Sequence, residues 1–518
     1  MTRRHTRVPA AHGPVVRLRQ QRQNRMENEP SWLSRRTDDT ELDTGFLANV
    51  LHEYRRSYGL NQADLAEMLS LDQSYVSKIE TGQRQVRDMR TMLHIAERLG
   101  IPPAQMGLSN AALSPVSPPS RSGPVDPTDP ARRSQHTWRR VRRHLNHNRR
   151  SFATLSGALY RAAFPTGNST FLTRAEWMPS EPLPLDSIRL AWDPVPGRST
   201  PITGTEPEAH HTLPLRAPGR RFDRYTSAVR YLDRPALFEN RPSYRLWDVD
   251  LSSGQPRMSF RPGTYFAKLD VSEAVAHECA AAHLSGAGSR ADWSELPFRE
   301  LIGDPFDLRR RAVLPAVETL TLRRRRDTGD ASFLLHWRDP AKVATAAGVY
   351  GLIPAGEFQP SSIAAGEATR DLDLWRGMVR EFSEELLGEP EHDGSSGTPL
   401  NYDDWPLYQD LRRARTEGRI TTHCLGIGLD TLTLAATILT VVVFDDDVFD
   451  ALFGHSMRIN AEGVLVTAAE SSTVSEGVPF TEASVRRLVD ETPMASPGAC
   501  LLSRAWNARD SILSRRSR

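Results

Sequence analysis

Residues 61–82 read NQADLAEMLSLDQSYVSKIETG, and this stretch decides how the N-terminal part of the chain folds. Asn61 caps a short helix from Gln62 to Leu69. Ser70, Leu71 and Asp72 make the turn, and Asp72 caps a second helix, Gln73 to Thr81, that stops at Gly82. Upstream, Phe46, Val50, Leu51 and Tyr54 recur at helical spacing before Gly59. Downstream, Asp88 to Leu99 places Met92, Leu93, Ala96 and Leu99 on one face and ends at Gly100, and Pro103 opens a short fifth helix through Met106. The expectation is an all-α domain of five helices over residues 43–110.

Two short helices joined by a three-residue turn make a helix-turn-helix, whose second helix enters the DNA major groove while the first crosses the backbone. With Val76 and Ile79 pointing inward, Gln73, Ser74, Tyr75, Ser77 and Lys78 face outward and supply amide, hydroxyl and ammonium groups to bases or phosphates. Gln62 is placed to hydrogen-bond a phosphate, and Arg84, Gln85 and Arg87 in the following loop can anchor the adjacent strand.

Asn61-Gln62-Ala63-Asp64-Leu65-Ala66, Ser74 to Glu80, Gly82 and the helix end from Ala96 to Ile101 together resemble the XRE family, the Cro and phage-repressor type of helix-turn-helix. That resemblance covers about 60 residues and implies double-stranded DNA as partner. It also implies an ion pair between Arg55 of the first helix and Glu80.

The whole chain sets bounds on this reading. Its 518 residues predict several domains. A net charge of only +2 means that DNA affinity must come from a local patch. Lys78, Lys268 and Lys342 are the lysines among 66 basic residues, a bias that weakens any argument from an arginine cluster alone. Cys279, Cys424 and Cys500 are too far apart for a zinc or disulfide framework, which fits a reducing cytoplasm. No apolar signal segment is visible, and the longest apolar run, Leu432 to Phe444, is too short to span a membrane and reads as buried strand.

In chain order, residues 1–42 read as a disordered basic tail, with Met26 an alternative start. Residues 111–131, which include PVSPPSRSGPVDPTDP, read as a stiff linker. An α+β region is expected over 132–290. It opens with an arginine-rich helix whose Trp138, Val141 and Leu145 dock on the following fold, a reading preferred to a second DNA contact. The hairpin YRLWDVDLSSGQPRMSFRPGTYF leads to a helix from Asp270 to His283. There His277-Glu278 reads as part of an ordinary surface helix, because His283 is six positions on rather than the four that a zinc site needs.

Residues 291–518 form the last expected domain. Strand-like runs at Leu320 to Leu322, Ser332 to Trp337 and Gly348 to Pro354 precede the helix DLDLWRGMVREFSEELLG, Asp371 to Gly388. Its buried stripe is Leu372, Trp375, Val379, Phe382 and Leu386, which leaves Glu381, Glu384 and Glu385 together on an adjoining face. Clustered carboxylates suit a hard cation such as Mg²⁺. Gly366, Arg380, Glu381, Phe382, Glu384 and Glu385 resemble the Nudix signature in register, although Leu372 stands where the family has Glu and the closing Gly is displaced to Gly388. That resemblance implies a mixed sheet sandwiched by helices, with the three glutamates as metal ligands.

Two functions follow. One is a bacterial, cytoplasmic transcription regulator binding DNA as a homodimer, whose C-terminal region senses a nucleotide-like ligand or holds the dimer. The other is a Mg²⁺-dependent Nudix-type hydrolase of nucleoside diphosphate derivatives fused to a DNA-binding domain. Neither implies a membrane.

Overall fold

The computed structural model describes residues 46–58, 61–69, 73–82, 91–92, 95, 99, 129–161, 170–194, 201–235, 238–286, 293–338, 349–362, 367–390, 400–454, 463–466 and 477–514. The chain divides into two compact units, Met1–Pro124 and Val125–Arg518. Among the described residues, no helix is long and apolar enough to cross a membrane.

In the first unit, α1 spans Phe46–Tyr58, α2 Gln62–Leu69 and α3 Gln73–Glu80. Their apolar positions form one cluster: Leu47, Val50, Leu51 and Tyr54 from α1, Leu65, Ala66 and Leu69 from α2, Val76 and Ile79 from α3. Met92, Ile95 and Leu99 join it, so the downstream segment buries Ile95 alongside two of the four residues expected there. The fifth helix and the turn from Ser70 to Asp72 lie outside the described residues. Helix α3 ends one residue earlier than expected, and Gly82 carries the chain onward in the left-handed region at φ 73°.

In the second unit, α4 (Pro130–His147) starts on Asp129, whose carboxylate accepts from the backbone N–H groups of Ala131 at 2.9 Å and Arg132 at 3.3 Å. After α5 (Arg149–Tyr160) come short strands β1 (Phe171–Leu172), β2 (Leu183–Pro184) and β3 (Arg189–Trp192), then α6 (Tyr225–Leu232). The expected hairpin is β4 (Pro242–Asp250) and β5 (Arg257–Thr264), which make a three-stranded sheet with β3. They lead into α7 (Tyr265–Leu284) and α8 (Pro297–Ile302).

The larger sheet, which also takes in β1 and β2, continues with β6 (Ala316–Arg324) and β7 (Ala331–Phe333). Next are β8 (Leu335–Arg338), β9 (Tyr350–Leu352), β10 (Ala355–Glu357) and α9 (Leu374–Leu387). Then follow α10 (Pro406–Thr416), β11 (Ile420–Asp430), β12 (Ala436–Asp445) and α11 (Asp446–Phe453). Strands β13 (Gly463–Val466) and β14 (Val478–Pro479) and helix α12 (Ser496–Asn507) close the unit. The strand order is β1-β11-β12-β6-β7-β14, with β10 also on β6 and β2 on β11. The sheet is mixed: β12 and β6 run parallel, in register from Thr437 opposite Ala316 to Asp445 opposite Arg324, beside antiparallel neighbours.

All ten residues of β12 are buried, which accounts for its near-continuous apolar run. Ile438, Val442 and Phe444 join a core cluster with Trp375, Val379 and Phe382 of α9. Leu439, Val441 and Val443 join another with Leu501, Leu502 and Ala505 of α12. Trp375, Val379, Phe382 and Leu386 of the expected stripe are buried on α9, whereas Leu372 precedes the Asp373 cap and is half-buried.

Two expectations are corrected. The boundary at 290/291 falls inside one core, because Trp138, Tyr225, Phe260 and Val275 share a cluster with Phe298, Phe382 and Phe444. Nor is α7 a surface helix: His277 and Glu278 are buried, and the Glu278 carboxylate accepts from the N–H groups of Phe298 at 2.7 Å and Arg299 at 2.9 Å, capping α8. A helix covered on several sides has no single apolar stripe, so periodicity does not report its burial.

Candidate nucleic-acid interface and carboxylate helix

The apolar side chains of α3 place its polar ones. With Val76 and Ile79 buried, Gln73 and Lys78 are exposed, and Tyr75 and Ser77 are half-buried beside them. Ser74 belongs to the same helix, but its side chain lies outside the described residues, as do Arg84 and Arg87. The Thr81 hydroxyl donates to the carbonyls of Ser77 at 2.8 Å and Lys78 at 3.3 Å, closing the last turn.

Glu80 fixes the three helices to one another. Its carboxylate is almost fully buried, with Oε1 accepting from Arg55 Nε at 3.0 Å and Oε2 from Gln62 Nε2 at 2.7 Å. The ion pair comes from α1, as the resemblance implies, and the amide comes from α2. Gln62, read from sequence as a phosphate donor, thus has one N–H turned inward to Glu80. An amide nitrogen carries two N–H groups, so the same side chain can bridge Glu80 and a phosphate. This second partner of Glu80 was missed because both readings begin from a Gln at the start of the same helix, and only tertiary packing chooses between them.

On α9, the Asp373 carboxylate caps the start through the N–H groups of Trp375 at 2.8 Å and Arg376 at 3.2 Å, and Gly388 ends the helix in the left-handed region. Glu381, Glu384 and Glu385 are half-buried on it. The Glu381 carboxylate lies over the Cα of Gly356 in β10, and Glu385 Oε1 accepts from the N–H of Ala355 at 3.4 Å. Arg380, the signature arginine, is buried and donates to the Tyr402 hydroxyl and, at 2.5 Å, to the Gln359 carbonyl. It pins the segment before α10 to the helix. Gly366 lies outside the described residues.

Among the described residues, no three or more His, Cys, Asp or Glu side chains gather so as to hold a metal ion. The three glutamates therefore do not fit a Mg²⁺ cage as arranged, because two of them are directed at the β10 backbone.

A different site emerges where the parallel strands end. A cavity of about 680 Å³ opens beside Arg324, the last residue of β6, and Asp445, the last of β12. Arg326, Arg415 and Arg419 also line it, with Thr421 and Thr422. Each guanidinium has a carboxylate: Arg324 meets Asp445 at 2.7 Å, Arg326 and Arg419 share Asp447 at 2.7 and 2.6 Å, and Arg415 meets Asp186 at 2.6 Å. Arg415 also donates to the Thr422 hydroxyl at 3.0 Å, and Thr421 Oγ1 is buried without a hydrogen-bond partner among the described residues. Sequence reasoning had no signal for this site, since its arginines come from two segments about 90 residues apart in an arginine-rich chain.

Comparison with known proteins bears on the first unit. A search of curated proteins gave no match. The crystal structure of the restriction-modification controller protein C.AhdI from Aeromonas hydrophila is similar at 38% identity, over 12% of this chain and 96% of that one, with a TM-score of 0.12. Residues 48–113 match the family described as a helix-turn-helix domain, close to the 43–110 expected. With three described helices in the matching order around a shared core, the chain carries a helix-turn-helix domain over this span.

Proposed function

We propose that the chain is a sequence-specific transcription regulator that binds double-stranded DNA as a homodimer and responds to an anionic, nucleotide-like ligand. The observation that carries the DNA reading is α3: Gln73 and Lys78 exposed on a short helix that the Glu80 clamp holds against α1 and α2. Gln73 and Ser74 would address base edges, and Gln62, Tyr75, Ser77, Lys78, Arg84 and Arg87 bases or phosphates. One such module makes few base contacts, so specificity calls for two half-sites and two copies.

The cavity at the ends of β6 and β12 supports the ligand half of the proposal, since open α/β sheets bind ligands at the carboxyl ends of parallel strands. Anionic groups would compete with Asp445, Asp447 and Asp186 for the arginines. A ligand that binds one arrangement of this unit better than another shifts the DNA-binding equilibrium.

The test is selection of a binding site from a randomised duplex pool, followed by titration of variants. Gln73→Ala and Lys78→Ala should each weaken binding by roughly 1–3 kcal/mol, about fivefold to 150-fold. Unchanged affinity in both overturns the DNA reading. For the ligand, nucleotide sugars, ADP-ribose, dinucleotides and nucleoside triphosphates are screened by melting temperature. A shift that disappears in Arg415→Ala and Arg419→Ala places the ligand in the cavity, and a shift retained in both removes it from there.

A further inference from the structure

Helix α4 shows two opposite faces. Ala131, Trp138, Val141, Arg142 and Leu145 are buried, and Trp138 Nε1 donates to the Thr212 carbonyl at 3.0 Å. At 100° per residue these positions centre about 180° from Arg133, His136, Arg140, Arg143 and His147, which fall within about 80° of arc. All five of the latter are exposed. The helix PARRSQHTWRRVRRHLNH contains no acidic residue after its Asp129 cap. Arg140 and Arg143 have no ion pair among the described residues, whereas the arginines of the inner side do: Arg142 meets Asp233 at 2.7 Å and Arg149, just beyond the helix, meets Glu273 at 2.8 Å. Arg150 is held by the Thr492 carbonyl.

The arginines turned inward thus meet carboxylates, whereas Arg133, Arg140 and Arg143 lie on the exposed face, with no acidic residue of the helix among them. The stripe runs over 15 residues from Arg133 to His147, about 21 Å end to end at ~1.5 Å per residue, the length of roughly six phosphates along one strand. In a chain of net charge +2, such a concentration is local, as contact with a polyanion needs.

We propose that the outer face of α4 is a second DNA contact, binding the phosphates of duplex that flanks the site read by α3. Arg133, Arg140 and Arg143 would neutralise phosphates, while His136 adds a ring N–H donor; His147 Nδ1 already donates to the Arg143 carbonyl at 2.7 Å. The proposal rests on the reading that the helix-turn-helix domain binds DNA. The 15 residues between the end of the helix-turn-helix match at 113 and Asp129 have a contour of at most about 50 Å at ~3.3 Å per residue, which allows both surfaces to address one duplex. The contact carries no sequence information. It adds affinity and salt dependence.

The experiment uses the full chain with Arg133→Gln, Arg140→Gln and Arg143→Gln combined, and a control of equal charge change, Arg189→Gln, Arg412→Gln and Arg486→Gln, at exposed positions elsewhere. Each is titrated from about 50 to 300 mM salt against a short duplex bearing only the selected site and a long one with ~20 flanking base pairs on each side. On the long duplex, the stripe variant should lose at least tenfold in affinity, and its slope of log K against log salt should fall by about 2 to 3. The control, and the stripe variant on the short duplex, should match the wild type. If the stripe variant equals the wild type on both duplexes, or the control loses as much, the second contact is refuted while site recognition by α3 stands. Failure of the wild type to bind either duplex refutes the helix-turn-helix reading and this inference together.

Discussion

Glu273 and His277 lie one turn apart on α7, His277 buried and Glu273 largely covered. Burial drives the His277 imidazole down to about 3, helped by the nearby Arg142 guanidinium, and its Nδ1 lies 3.1 Å from the Tyr225 hydroxyl. Burial also opposes ionisation of Glu273, but Arg149 and Arg142 outweigh it and hold the carboxyl at about 2. Both groups bind protons more readily in the unfolded chain, so both make stability fall with falling pH. The contribution of His277 is complete above pH 6.5 and is lost from there toward 3, at about 1.4 kcal/mol per pH unit; that of Glu273 is lost between about 4.5 and 2. Urea midpoints of the second unit should therefore decline already between pH 6.5 and 4.5. His277→Gln, which keeps a polar group but does not titrate, should flatten that interval and leave the steeper decline below 4.5. An equal decline in the variant would assign the effect to another group.

At the scale of elements, the helix-turn-helix is held by more than its apolar seam. Glu80 on α3 receives Arg55 from α1 and Gln62 from α2, so its removal leaves two donors without their acceptor and loosens the angle at which α3 is presented. Glu80→Ala should destabilise the first unit by about 1–3 kcal/mol and weaken DNA binding although no groove-facing residue changes. Restoring binding by lowering the temperature, but not in Lys78→Ala, would separate loss of structure from loss of contact. In the second unit, a Cβ added at Gly356 meets the Glu381 carboxylate on α9. The atoms it meets are the end of a flexible, half-buried side chain that can turn aside, so Gly356→Ala should cost no more than about 1 kcal/mol in the melting of that unit. A larger loss would mean that Glu381 is held in place.

Across the whole molecule, the two units have separate apolar cores, one drawn from residues 47–99 and the others from residues beyond 130. Calorimetry should resolve two transitions rather than one. Leu65→Ala, at a fully buried position of the first core, should cost about 2–5 kcal/mol there and leave the second transition in place. A single transition that moves as a whole would show the units to be energetically coupled.

The sequence by itself determined the helix-turn-helix and the face of α9 that is buried. Both rest on local regularities: caps, a three-residue turn and apolar residues repeating every three or four positions, which short helices must show to bury one side. It also identified the β4–β5 hairpin and β12, where period-two alternation or an unbroken apolar run is enough. Only the tertiary structure decided that the region after residue 130 is one unit, that α7 is buried around Glu273, His277 and Glu278, and that Glu381 and Glu385 lean on β10 instead of gathering with Glu384. It alone brought Arg324, Arg326, Arg415 and Arg419 to one cavity and sorted the arginines of α4 into an inner and an outer set. The reason is physical: a helix or strand is chosen by neighbours a few residues away, whereas the partner of a charge is chosen by whichever distant segment packs against it. In a chain whose basic residues are almost all arginine, composition does not mark which guanidinium is paired and which faces solvent.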